Sequence, residues 1–141
     1  MSPVSSQKAI LRVLDANYNR TKEALRVLED IARFVLNAAA LSARIKKCRH
    51  QLTQALLQLP VSYKQFVLAR DAANDVGKTS GIADCKKPKI QDLVKANARR
   101  GQESLRVLEE FTKIIGQQHA TRFQKIRFEL YELEKQYLSK F

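Results

Sequence analysis

Apolar residues return at intervals of three and four along most of the chain, which is the signature of helices that bury one face. Ile10, Leu14, Leu25, Leu28, Ile31 and Val35 predict a first helix from about Gln7, capped by Ser5-Ser6, to about Asn37. Residues 38–41 make a turn, and Ile45, Cys48, Leu52, Leu56 and Leu59 mark a second helix that stops at Pro60. So short a connection lays the two antiparallel. Residues 62–69 read as a helical turn or a strand; a helix is preferred, because no second strand exists to pair with it. Residues 90–115 form another long helix ended by Gly116, followed by a partner over 119–138. The 18 residues from Asp71 to Pro88 are left as a loop. That is longer than compact domains keep without a purpose.

The pattern repeats itself. The stretch 16–30 returns as 96–110, with nine of fifteen positions identical, and residues 44–52 align with 122–130. Leucines and a valine account for some identities, as in any copied helix. Asn17/Asn97, Arg20/Arg100, Glu23/Glu103 and Arg26/Arg106 are polar, and packing alone does not require them. The expected fold is therefore all-α: a bundle of two pseudo-equivalent helical hairpins with a long central loop. A polar leader covers residues 1–8, and one helical domain covers 9–139, with a first half over 9–60, the loop region over 61–88 and a second half over 89–139.

Composition narrows the partners. With 141 residues and 45 % apolar content the chain supports a single core. Lys and Arg number 26 against 14 Asp and Glu, a formal charge of +12, so the preferred partner is an anion. Ten aromatic residues (Tyr 4, Phe 6, Trp 0) do not interleave with the basic ones, which disfavours nucleic acid. Cys48 and Cys85 have neither disulfide-framework nor zinc-site spacing, and a reducing cytoplasm is expected. No apolar run reaches the roughly 20 residues of a membrane helix, and residues 1–8 are too polar for a secretory signal.

Candidate chemistry lies on the repeat and in the loop. Asn17 falls within the apolar stripe, as does Asn97, and an amide placed there must bond a neighbouring helix or face a polar cavity. Arg20 and Arg100 border the stripe, where a guanidinium fork suits phosphate oxygens. Arg26 has Glu23, Glu29 and Asp30 within one turn and is equally read as a surface ion-pair residue. In the loop, Asp71 and Asp75 near Arg70 could hold Mg²⁺ beside a phosphate, or simply form turns. Gly77-Lys78-Thr79 is not a P-loop, since Ala72 stands where the motif needs glycine. His50 and His119 have no evident nucleophile to serve and are read as structural.

Taken together, the segments 14–20 and 23–30, Arg49-His50, Ala69-Arg70-Asp71 with Asp75-Val76-Gly77, and 103–110 closely resemble the small hydroxymethylpyrimidine phosphate kinases. That family is distinct from the ribokinase-like kinases and occurs alone or fused to the front of thiamin phosphate synthase. The resemblance covers about residues 10–135. Ala73-Asn74 and Lys78 depart from it, where a glycine near 74 and an uncharged residue after Gly77 are expected.

The resemblance implies transfer of a phosphoryl group from ATP, with Mg²⁺, to 4-amino-5-hydroxymethyl-2-methylpyrimidine phosphate in thiamin biosynthesis. It assigns Arg20, Arg49 and Arg70 to one phosphate and Arg100, Arg106 and Arg127 to another. Glu23 or Glu103 would orient an arginine or a metal-bound water, Asn17, Arg26 and Asn97 would assist in binding, and Asp71 and Asp75 would hold the metal. Phosphoryl transfer depends on such positioning and charge neutralisation. Two other readings stand beside it: a non-catalytic module of thiamin phosphate synthase that binds the pyrimidine phosphate, and a basic RNA-binding bundle. The chain is too short for the synthase's own barrel, which takes roughly 250 residues. A homodimer could complete the site.

Overall fold

The computed structural model describes residues 3–78 and 87–141, with side chains of the first helix from Gln7 onward. Five α-helices make up its regular structure: α1 (Pro3–Asp30), α2 (Ala39–Leu57), α3 (Tyr63–Leu68), α4 (Ile90–Thr112) and α5 (Gln117–Leu138). No strand occurs among the described residues, so the all-α expectation holds.

Helix α1 starts earlier than expected. Most of the anticipated leader belongs to it, because Pro3 stands in the first turn, where a fixed φ favours the helix and a missing N–H costs nothing. At its other end the helix widens into a π-helical turn, Ile31–Val35, instead of continuing to Asn37 as α-helix. Asn37 then takes a left-handed φ of 50°, a conformation that asparagine tolerates well, and reverses the chain into α2. The short helix expected after Pro60 is present. Ser62 caps it, accepting from the Gln65 amide while Gln65 Oε1 accepts from the Ser62 amide, a reciprocal pair that fixes the start of a helix too short to persist alone. Of the expected central loop, residues 71–78 and 87–88 are described, while Gly81 and Cys85 lie outside the described residues.

The helices pack in a ring: α1 against α4, α4 against α5, α5 against α2, and α2 back against α1. Leu14, Leu25, Leu28, Ile45, Leu105 and Leu130 fill its centre, each at 1 % exposure or less. Burying side chains of this size stabilises by about 1.5–3 kcal/mol apiece. Thr21 and Ser104 hydroxyls meet at 2.6 Å between α1 and α4. One turn away Gly101 faces Ala24, so the two helices run antiparallel. A Cβ at Gly101 would sit 2.6 Å from Leu130 Cδ2, and its absence lets α4 and α5 approach closely.

Corresponding polar residues make corresponding contacts. Glu29 holds Arg49 (Nε to Oε2 2.9 Å), and Glu109 holds Arg127 (Nε to Oε2 2.8 Å), each pair tying the first helix of a half to the second. Asn17 and Asn97 each donate to the carbonyl four residues back, Val13 and Leu93, both at 2.8 Å. The amides thus satisfy themselves on their own helices instead of bridging to a neighbour.

Candidate functional site

One cleft gathers much of the predicted chemistry. Ala9, Arg12, Val13, Ala16, Asn17 and Arg20 recur at three- and four-residue spacing and form one face of α1. The chain after α3 folds across that face and brings Arg70, Asp71 and Asp75 to it, enclosing about 450 Å³. Arg70 closes the cleft by gripping Asp15 with two bonds, Nε to Oδ2 at 2.6 Å and Nη2 to Oδ1 at 3.0 Å. This bond and the carboxylate's charge raise the Arg70 pKa above its usual value. Asn17, 5 % exposed, accepts from Arg20 Nη1 through Oδ1 at 3.3 Å and so aims that guanidinium along the cleft.

The two loop carboxylates are occupied by the loop itself. Asp71 accepts from the Asn74 side chain (3.0 and 3.1 Å) and the Asn74 amide (3.2 Å). These bonds, with Arg12 and Lys8 nearby, hold its pKa below the ordinary aspartate value. Asp75 accepts from the Gly77 amide at 2.9 Å. Both act as turn formers. Among the described residues no three His, Cys, Asp or Glu side chains converge on a point. Asp71 and Asp75 nevertheless both line the cleft beside Arg70, the placement that two carboxylates holding Mg²⁺ together with a ligand's phosphate would require.

A second cavity of about 280 Å³ shares Asp15 and Arg70 as a wall with the first. Its other sides are largely apolar and aromatic: Tyr18, Leu56, Val61, Tyr63 and Phe66. Tyr18 is steadied by a 3.3 Å contact between its hydroxyl and that of Thr53. A cleft lined by Arg12 and Arg20 thus opens beside a largely apolar, aromatic-lined cavity, and the paired Asp15 and Arg70 stand at the boundary.

The remaining expected site residues lie elsewhere. Arg49 and Arg127 are engaged with Glu29 and Glu109 and do not line the cleft. Arg26 contacts Glu29 at 3.5 Å, in keeping with its ion-pair reading, and Arg106, expected at a phosphate, contacts Glu110 at 3.2 Å. Glu23, Arg100 and Glu103 are exposed and stand outside the cleft. Because α1 and α4 are antiparallel in the register set by Thr21 and Ser104, Asn97 lies roughly 16 Å along the bundle from Asn17. The two copies of the motif do not converge on one cavity. Sequence reasoning passed over Arg12, Asp15 and the slot aromatics. Arg12 was detectable, one and two turns before Ala16 and Arg20 on the same helical face; Asp15 needed knowledge of a partner 55 residues away.

Comparison with known proteins matches residues 12–136 to the model of the ThiD2 family. The chain belongs to the ThiD2 family. A protein of Rhodopirellula baltica named thiamine-phosphate synthase is 36 % identical over 130 residues, which cover 90 % of this chain and 34 % of that protein. Proteins of the same name from Synechococcus sp. (strain CC9311) and Synechocystis sp. are 38 % and 37 % identical, over 89 % and 92 % of the chain. The chain spans about a third of the length of these curated relatives. No solved structure matches. The expected hydroxymethylpyrimidine phosphate kinase activity is corrected here: these relatives bear the name of a synthase, not of a kinase. No helix among the described residues is long and apolar enough to cross a membrane.

Proposed function

We propose that this chain is a non-catalytic module that binds a pyrimidine phosphate on behalf of thiamine-phosphate synthase. The observation that carries the reading is the pair of cavities divided by Asp15 and Arg70. Arg12 and Arg20 in the first make no carboxylate pair with another described residue and suit a phosphate. The aromatic slot beside them suits the ring. Acidic side chains in the first cavity's wall leave its formal charge balanced, with three Arg and three Asp. That mixture favours a ligand bearing both an anion and N–H donors, as an aminopyrimidine phosphate does, over a simple anion. The names of the relatives support the link to the synthase.

Isothermal titration of the purified chain with 4-amino-5-hydroxymethyl-2-methylpyrimidine phosphate, beside its free alcohol, tests the reading. The phosphate binds, and the alcohol binds at least about tenfold more weakly, as loss of charge-assisted hydrogen bonds requires. Arg20→Ala weakens the phosphate by a similar factor while leaving the alcohol unchanged. A folded protein that binds neither compound refutes the proposal.

A further inference from the structure

On the other side of α2, facing α5, a groove of about 560 Å³ shares no lining residue with the two cavities already described. Lys47, His50, Gln51 and Gln54 form its α2 bank, and Gln118, Thr121, Arg122 and Lys125 stand opposite. No carboxylate lines it. The helices run antiparallel here, in a register fixed by Arg44 of α2 gripping Glu129 of α5 at 2.6 Å. Following that register one turn inward brings Lys47 level with Lys125, and a further turn brings Gln51 level with Arg122.

Like charges thus face each other across an interface that uses opposite charges one turn away. The internal repeat shows what is missing. It equates Arg44 with Arg122 and Gln51 with Glu129. The residue level with Arg122 is therefore a neutral amide, at the very position where the partner of Arg44 is a carboxylate. Arg122, Lys47 and Lys125 make no ion pair with another described residue. All three cations are exposed, so water screens their mutual repulsion, but with no carboxylate beside them they present an uncompensated positive strip to an anion.

We propose that this groove is a second anion site, separate from the pyrimidine site, which takes a diphosphate group between Lys47 on one bank and Arg122 and Lys125 on the other. Three exposed cations within about two helical turns match the charge of a diphosphate better than that of a monophosphate. The glutamine amides and the Thr121 hydroxyl supply neutral donors. A nucleic acid strand would need the cations to continue and aromatics to stack upon. The Arg44–Glu129 pair closes one end, the neutral Gln54 and Gln118 lie at the other, and no Phe, Tyr or Trp lines the groove, His50 being the single aromatic ring there.

Titrating the full chain at physiological ionic strength with inorganic pyrophosphate, ADP as an ester-linked diphosphate, and orthophosphate tests the assignment. Pyrophosphate binds at least about tenfold more tightly than orthophosphate, and the ADP arm shows whether an esterified diphosphate is accepted too. The decisive variant is Gln51→Glu, which restores to Arg122 the carboxylate that Arg44 already has. It preserves helix and packing, yet lowers pyrophosphate affinity at least about tenfold. Arg122→Gln does the same without adding a negative charge. Arg20→Ala leaves pyrophosphate binding intact, and Gln51→Glu leaves the pyrimidine phosphate titration intact, so either site can fail without the other. Unchanged pyrophosphate affinity in folded Gln51→Glu and Arg122→Gln, or equal affinity for pyrophosphate and orthophosphate, overturns the proposal.

Discussion

Replacing Arg127 by methionine tests whether this arginine serves the fold or an anionic ligand. Its side chain is 9 % exposed, and that of its partner Glu109 is 5 % exposed. It donates to Glu109 at 2.8 and 3.3 Å and to the Tyr131 hydroxyl at 3.2 Å, which raises its pKa further above an already high value. It is therefore charged at every accessible pH. Arg127→Met keeps most of the volume and removes the cation. Glu109 is then left as a buried carboxylate without its partner, a change that costs about 3–5 kcal/mol. For a domain of this size that lowers Tm by about 10 °C or more. Converting both residues, Glu109→Leu with Arg127→Met, removes the orphaned charge with the pair and recovers most of the loss, because desolvation offsets most of the attraction in a buried ion pair. Urea unfolding of the two singles and the double gives the coupling directly. A cost below about 1 kcal/mol for Arg127→Met, or a double no more stable than the singles, refutes the structural role.

The hydroxyl of Tyr137, on the last turn of α5, donates to the Leu28 carbonyl of α1 at 2.6 Å in the core. Tyr137→Phe leaves that acceptor short of one partner and lowers unfolding free energy by about 1–2 kcal/mol in urea, with m unchanged. Burial pushes the Cys48 thiol up from 9.0 to about 12, with Glu129 adding to the effect. At pH 8, in a Cys85→Ser background, native protein does not react with a thiol reagent at Cys48, and reaction follows unfolding; rapid labelling of the folded chain contradicts this. The folded thiol holds its proton more tightly than the unfolded one. Its contribution to stability is therefore complete below about pH 9 and is lost as pH rises toward about 12. The unfolding free energy measured across that window declines, and the decline is shallower in Cys48→Ala.

The helices were legible because each carries its instruction locally, in apolar spacing, a stop at Pro60 and a glycine at 116, whereas the start at Pro3 and the cap at Ser62 were not read from the sequence. The repeat, too, was legible by inspection, and with it the matched pairs that the bundle later employs. What the repeat suggested about function was misleading in one respect. Identical motifs in two helices look like two halves of one site. Antiparallel packing of α1 on α4 instead sets Asn17 and Asn97 at different levels, and among the described residues the loop folds over the first copy.

Side-chain roles depended on partners remote in the chain. Glu29 and Glu109 look like ordinary acidic positions beside Arg26 and Arg106, yet they are buried and claim Arg49 and Arg127 from the neighbouring helix. Arg70 and Asp15 stand 55 residues apart, and nothing local to either announces their union or the two cavities it divides. By itself, then, the sequence determined the helical class, the duplicated helices, the basic charge and Arg20 with Asn17 as a polar break in an apolar face. Tertiary structure alone decided which arginines are tied to carboxylates and which stay free. Helix formation depends on residues a turn apart, whereas a side chain's availability depends on whatever another helix brings against it.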